Sequence, residues 1–209
     1  DNPTGNFLEK ADVLRLCAEL KKTGTLLFFD ESFIDFAEKS RRYTLLDENI
    51  LNEYPNLIVV KSISKSYGVP GLRLGVLACS DEKYIMHIRK ANSIWNINSF
   101  GEYFLQIYDK YNKTYAAACD SIADERSRFS ARLAKIPGLT VFPSQANYIL
   151  CRLTGTVQAE ELAVTLLETY NIFIKDLSSK QCFEGGGYIR LAVRDKNDND
   201  ALVAALKDV

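Results

Sequence analysis

"NLIVVKSISKSYGVPGLRLGVLAC", residues 56–79, holds two apolar runs around a polar, glycine-bearing turn. The first run, NLIVVKS (56–62), and the last, RLGVLAC (73–79), have strand length. Continuous apolar runs bounded by turn residues suit strands buried on both faces. Between them stand Ser62, Ser64, Lys65, Gly68, Gly71 and Arg73. Toward the amino terminus, TLLFFD (25–30) reads as a strand ending in an acid, preceded by a helix from Leu8 to about Lys22 that Gly24 closes. Residues 46–53 read as a short helix, and DEKYIMHIRKAN (81–92) as another. Such alternation implies an α/β layer with a parallel sheet at its centre, where ligands sit at the carboxyl ends of strands. Asp30 lies at the end of one strand and Lys65 follows the end of another, and the two are expected to face one cleft.

The second half changes rhythm. A helical stretch from about Ser99 through Leu133, broken near Lys110, leads to Pro137-Gly138. LTVFP and ANYILCRL then read as strands, 157–170 as a helix, IFIKD and YIRLAVR as strands, and 195–208 as a closing helix. This pattern predicts a smaller α+β domain with an antiparallel sheet. The expected division is 1–110 for the carboxyl-side part of a large α/β domain and 111–209 for the small domain.

Composition narrows the function. Hydrophobic residues make up 47% of 209, enough for a sizeable core. A net charge of −1 with interspersed signs argues against a nucleic-acid partner or a membrane surface. No apolar run approaches the roughly 18 residues of a membrane span. Five scattered cysteines without a C-x-x-C pair read as reduced thiols of a cytoplasmic protein, with no metal site expected. The single histidine, His87, makes a histidine triad improbable, so an enzyme of this composition needs another proton carrier. Lysine is the candidate.

A loop lysine is more often simply solvated, but the neighbours of Lys65 alter that. Nearby cations lower a lysine's pKa and free its amine to attack carbonyls, and Arg73 supplies such a charge. Serine hydroxyls and a guanidinium hold phosphate oxygens, and glycines let backbone approach a ligand. The set therefore fits a Schiff-base lysine beside a phosphate. Asp30 reads either as a strand-end cap or as a carboxylate that keeps a pyridine nitrogen protonated.

NPTG (2–5), FFDESFIDF (28–36), SISKSYGVPGLRLG (62–75) and YIRLAVR (188–194) together resemble the class I/II aminotransferases, fold-type-I enzymes that use pyridoxal 5'-phosphate. The resemblance runs along essentially the whole chain. It implies that Lys65 forms the internal Schiff base and shuttles a proton, that Asp30 pairs the pyridine nitrogen and that Asn2 holds the cofactor's 3'-oxygen. Ser62 and Arg73, with Ser64 as the weaker serine, would hold the phosphate, and Arg190 the substrate α-carboxylate. Phe33 stands where the family usually has tyrosine. That position loses one hydrogen bond to the 3'-oxygen and is expected to raise the pKa of the Schiff base.

Within the family, DESFIDF, PGLRLG, IWNINS (94–99), SQANYIL (144–150) and YIRLAVR resemble the branch holding histidinol-phosphate aminotransferase and threonine-phosphate decarboxylase. Phe33 and Arg194 look closer to the decarboxylase. Both relatives handle small phosphorylated amines, so Arg194 and Lys175 read either as contacts for a second anion or as exposed bases. Asn147 and Asn98 match the branch pattern, and the segment around Asn98 implies a homodimer with shared active sites. Trp95 and Tyr103 are interface candidates, and Tyr67 reads as packing. The leading expectation is an aminotransferase that exchanges an amino group between a small phosphorylated or phosphono amino acid and a 2-oxo acid. The alternative is decarboxylation of a phosphoamino acid. A non-catalytic module is disfavoured by the retained Lys65–Asp30–Arg73 set. The family fold also has an amino-terminal portion, with an aromatic ring that stacks on the pyridine, and these 209 residues do not include it. On their own they are expected to bind the cofactor weakly and to turn nothing over.

Overall fold

The computed structural model describes residues 1–183 and 185–209. They form two compact units, one of Leu8–Ala117 and one of Asp1–Phe7 with Ala118–Val209.

In the first unit, α1 (Lys10–Lys22) buries Val13 and Cys17, four residues apart on one helix face. It has Asp12 in its first turn and Lys21 and Lys22 in its last, as the helix dipole favours. Gly24, at φ +69°, takes the left-handed position just beyond its end. β1 (Leu27–Asp30) follows, then α2 (Glu48–Glu53), whose first amides bond the Asp47 carboxylate. β2 (Leu57–Ser62) lies parallel to β1, with Leu27 opposite Leu57 and Asp30 opposite Val60. That register puts Leu57 and Val59 on the face that packs against Val13, Cys17 and Leu45. Each such fully buried side chain contributes about 1.5–3 kcal/mol.

α3 (Ile63–Ser66) begins directly after β2 and carries Lys65. β3 (Gly75–Ala78) then runs antiparallel to β2, with Gly75 opposite Ser62. The sequence pattern suggested a parallel neighbour here. The intervening segment instead closes on itself, because the Ser64 hydroxyl accepts the Leu74 N–H at 2.7 Å and donates to the Leu74 carbonyl at 3.1 Å. A parallel return needs a longer crossover, usually a full helix. α4 (Glu82–Ala91) and α5 (Ser99–Ile107) follow. Asn98 caps α5 by accepting the Gly101 N–H, and its amide donates to the Leu72 carbonyl. A 3-10 turn, Tyr108–Tyr111, makes the expected break before α6 (Asn112–Leu133).

The second unit adds β4 (Leu139–Val141), β5 (Tyr148–Leu153), α7 (Ala159–Tyr170), β6 (Lys175–Asp176), β7 (Tyr188–Ala192) and α8 (Lys196–Asp208). Its sheet has the order β4-β5-β7-β6 with every pair antiparallel, as the sequence pattern predicts. Ile149, Cys151, Ile189 and Leu191 fill one face and pack with Phe129 and Leu133 of α6, Leu162 and Leu166 of α7, and Leu202 and Val203 of α8.

The units do not divide where chain order suggests. The division falls inside α6, after Ala117 rather than near residue 110, because the buried positions Cys119, Ala123, Phe129 and Leu133 belong to the second core. The opening turn also belongs to the second unit. Gly5, at φ +76°, donates to the Asp1 carbonyl and accepts from the Gln145 amide. A Cβ on Gly5 would lie 2.2 Å from the Ser144 hydroxyl, so only glycine fits. Among the described residues, no helix is long and apolar enough to cross a membrane.

Candidate functional site

The first unit gathers five expected residues. Asp30, Ser62, Ser64, Lys65 and Arg73 line one open hollow of about 470 Å³, together with Ser32 and Lys61. It lies at the carboxyl ends of β1 and β2, where α/β sheets bind ligands. Asp30 serves as a cap, its Oδ1 accepting the Ser32 N–H at 2.8 Å. The Ser32 hydroxyl in turn accepts the Ser62 N–H at 2.9 Å, which stitches the two strand ends together. Lys65 is exposed, and its Nζ sits 4.9 Å from the centre of the Phe33 ring, a cation–π contact. The Phe33 side chain thus meets the amine of the expected reactive lysine.

Arg73 is exposed, with its backbone in the left-handed region at φ +55°, ψ +38°. A residue with a Cβ costs about 1–2 kcal/mol there, whereas glycine adopts it freely. Its guanidinium donates to the Pro70 carbonyl only at a long 3.4 Å. Backbone outliers of this kind cluster at ligand sites. Ser64 differs from Ser62. It is buried, and its hydroxyl is engaged on Leu74 as both donor and acceptor, so it closes the turn around Lys65.

The second unit gathers another group. Arg190 Nη1 donates to Asn2 Oδ1 at 2.6 Å, joining two candidates from opposite ends of the chain. The same guanidinium lies 5.1 Å from the centre of the Tyr148 ring. Tyr148 donates its hydroxyl to the Asp1 carbonyl at 2.7 Å, and Lys180 Nζ donates to the Asn2 carbonyl. Lys175 stands directly opposite Arg190 in the β6–β7 register. Like charges facing across strands ordinarily destabilise a sheet, and an anion between them removes the repulsion. Asn147 is half-buried just before β5, and its carbonyl accepts the Val193 N–H.

Arg194 has a different setting from the one expected of a substrate contact. Its guanidinium pairs with Asp198, and its backbone N–H and carbonyl both bond the Asn199 side chain. The Asp198 carboxylate holds its pKa above the ordinary arginine value. Arg194 is thus committed to the start of α8. Burial pushes the Cys151 thiol up to about 12.

Sequence reasoning missed Ser32, Lys61 and Tyr148. Ser32 and Lys61 lie inside the quoted motifs, but strand position alone gave no reason to prefer them. Tyr148 is brought to Arg190 by the β5–β7 pairing, which no local pattern reveals.

The chain matches the family described as aminotransferase class I and II over residues 1–206. It is 35% identical over 209 residues to CMP-5'-(3-aminopropyl)phosphonate synthase of Streptomyces rubellomurinus, covering all of this chain and 33% of that protein. It is also 35% identical over 216 residues to L-serine phosphate decarboxylase of Sulfurospirillum multivorans, covering all of this chain and 53% of that one. The chain thus spans between a third and about half the length of these two relatives. Among solved structures, the histidinol-phosphate aminotransferase of Clostridium acetobutylicum superposes with a TM-score of 0.88 at 26% identity, over all of this chain and 61% of that one. By these matches and its fold, the chain belongs to the class I and II aminotransferases, a family of pyridoxal-phosphate-dependent enzymes.

Proposed function

We propose that the protein is a pyridoxal-phosphate-dependent decarboxylase of a small amino acid that carries a phosphate or phosphonate group. The residues of the hollow fit the cofactor by their chemistry: an amine for the aldehyde, a carboxylate for the ring nitrogen, and a guanidinium with a hydroxyl for the phosphate. When bound, pyridoxal phosphate supplies a carbonyl that captures amines and a ring that takes up electrons from a bond broken at the α-carbon. Lys65 Nζ is the attachment point and then the group that delivers a proton to that carbon. Asp30 holds the ring N–H, Ser62 and Arg73 hold the phosphate, and Asn2 bonds the 3'-oxygen. Arg190 takes the substrate carboxylate with its fork of donors.

The observation that carries the substrate class is the facing pair of Lys175 and Arg190. Two cations on adjacent strand positions suit a substrate with two anionic ends, a carboxylate on Arg190 and a phosphate on Lys175. The choice of decarboxylation is supported by Phe33 in place of the usual tyrosine and by the serine-phosphate decarboxylase relative. Transamination with a 2-oxo acid, the leading expectation from sequence, stays as the second reading. It is favoured by the family's description and by histidinol-phosphate aminotransferase relatives such as that of Thermoanaerobacter pseudethanolicus, 30% identical over 209 residues.

The test is to mix the full-length protein, loaded with pyridoxal phosphate, with phosphoserine and no oxo acid. Release of carbon dioxide while the cofactor keeps its pyridoxal absorption supports decarboxylation. Stoichiometric conversion to the pyridoxamine form without carbon dioxide means that transamination is the reaction.

A further inference from the structure

Two lysines, Lys61 and Lys65, line the hollow. Any amine there with an available lone pair attacks an aldehyde, so a site that uses one lysine has to disarm the other. The two are held differently. Lys61 Nζ donates to Asp35 Oδ1 at 2.8 Å, with the two side chains only 16% and 19% exposed. The other oxygen of Asp35 accepts the Tyr115 hydroxyl at 2.7 Å. The Tyr115 ring lies flat on Tyr67, centroids 3.8 Å apart at 10°, two residues past Lys65. Asp35 itself follows Phe33 by two residues, and it is the Phe33 ring that meets Lys65 Nζ.

We propose that Asp35 is a positioning residue that decides which lysine reacts: it holds Lys61 as an ion pair and so leaves Lys65 to take the cofactor's aldehyde. The proposal rests on the reading of Lys65 given above. An ammonium that donates to a carboxylate has no lone pair to offer. Releasing its proton would leave the Asp35 carboxylate half-buried without a counter-charge, which is costly. The Tyr115 hydroxyl fixes the second oxygen, so the carboxylate stays aimed at Lys61. Lys65 meets an aromatic face instead, which attracts a cation but strands no carboxylate when the proton leaves. Asp30 and Arg73 are the other charged groups lining the hollow.

In the linking step the lysine nitrogen attacks the aldehyde carbon and a C=N bond forms. The two amine protons leave with the carbonyl oxygen as water. Borohydride then adds hydride to the carbon, solvent adds a proton to the nitrogen, and the lysine is marked permanently.

The experiment is borohydride reduction of the full-length protein with pyridoxal phosphate, followed by peptide mass mapping. The unaltered protein is expected to carry its mark on Lys65. Lys65→Ala is expected to leave Lys61 unmarked, whereas Lys65→Ala with Asp35→Asn is expected to place a clear mark on Lys61. Lys65→Ala with Asp35→Glu restores the silence of Lys61, a rescue that a merely structural role does not predict. If Asp35→Asn unfolds the protein, Lys65→Ala with Tyr115→Phe keeps the ring stack, removes only the hydroxyl, and is expected to give a partial mark. A mark outside Lys65 in the unaltered protein overturns the site reading and the proposal together. A mark on Lys65 there, with Lys61 silent in every folded variant, overturns the proposal alone.

Discussion

Arg73 puts stability and function in opposition at a single residue. Its left-handed backbone is one that glycine adopts without strain, while its guanidinium is the cation proposed for the cofactor phosphate. Arg73→Gly is therefore expected to stabilise the protein by about 0.5–1 kcal/mol, the relief of strain less the extra freedom of an unfolded glycine. The same change is expected to weaken pyridoxal phosphate binding about 10- to 100-fold, the loss of a charge-assisted hydrogen bond. Urea denaturation reads the first effect and cofactor titration the second. A variant that is less stable yet binds the cofactor equally tightly would mean that the arginine side chain serves the fold and not the phosphate. At this scale much was legible in the sequence. Lys65, Asp30 and Arg73 stood out by residue type at strand ends, and the structure gathers all three around one hollow. The ion pair of Lys61 was not legible, because an acid twenty-six residues away becomes its neighbour only through the β1–β2 pairing.

Among the elements, α6 and α8 are joined by a polar clasp. Glu125 on α6 accepts a two-pronged bond from Arg128, 2.7 Å at each prong, and a bond at 2.8 Å from the buried Asn199 of α8. The hydrogen bonds from Arg128 hold the Glu125 pKa below its ordinary value of 4.5, against burial that pushes it up, and Asn199 and the charges of Arg128 and Lys196 add to the lowering. A carboxylate depressed in the folded state binds its proton more readily when unfolded. Its stabilisation is complete above the ordinary glutamate range and is lost as pH falls through the depressed value. Stability measured by denaturant from pH 6 downward is therefore expected to fall below about pH 4.5. Glu125→Gln should flatten that part of the slope and lower stability at neutral pH. An unchanged slope would place the acid sensitivity elsewhere. The helices themselves were visible as apolar periodicity, but the clasp depends on which face of α8 meets α6. The antiparallel β3 was hidden for a similar reason: the bonds between Ser64 and Leu74 turn the chain back, and those are made by folding.

Between positions 94 and 103 the described residues include several exposed large apolar side chains. Ile94, Trp95, Phe100 and Tyr103 are 94%, 91%, 79% and 62% exposed. Large exposed apolar side chains of this kind mark interaction surfaces, and the proposed occupant is a second copy of the chain. Truncation of a central interface tryptophan typically weakens association by 2 kcal/mol or more, roughly 30-fold. Sedimentation of the full-length protein is expected to show a dimer, with Trp95→Ser shifting it toward monomer at the same concentration. A dimer unaffected by Trp95→Ser would place the contact on another surface.

By itself, the sequence determined the class of fold, the order of most elements and the types of chemistry available. Those depend on apolar periodicity, turn residues and functional groups carried by short stretches of chain. It did not determine where the units divide or what each charge meets. Asn2 lies beside Arg190, Asp35 beside Lys61 and Glu125 beside Asn199 because strands and helices far apart in the chain pack together. A hydrogen bond acts over about 3 Å, so its partners are chosen by the tertiary structure and not by spacing along the chain.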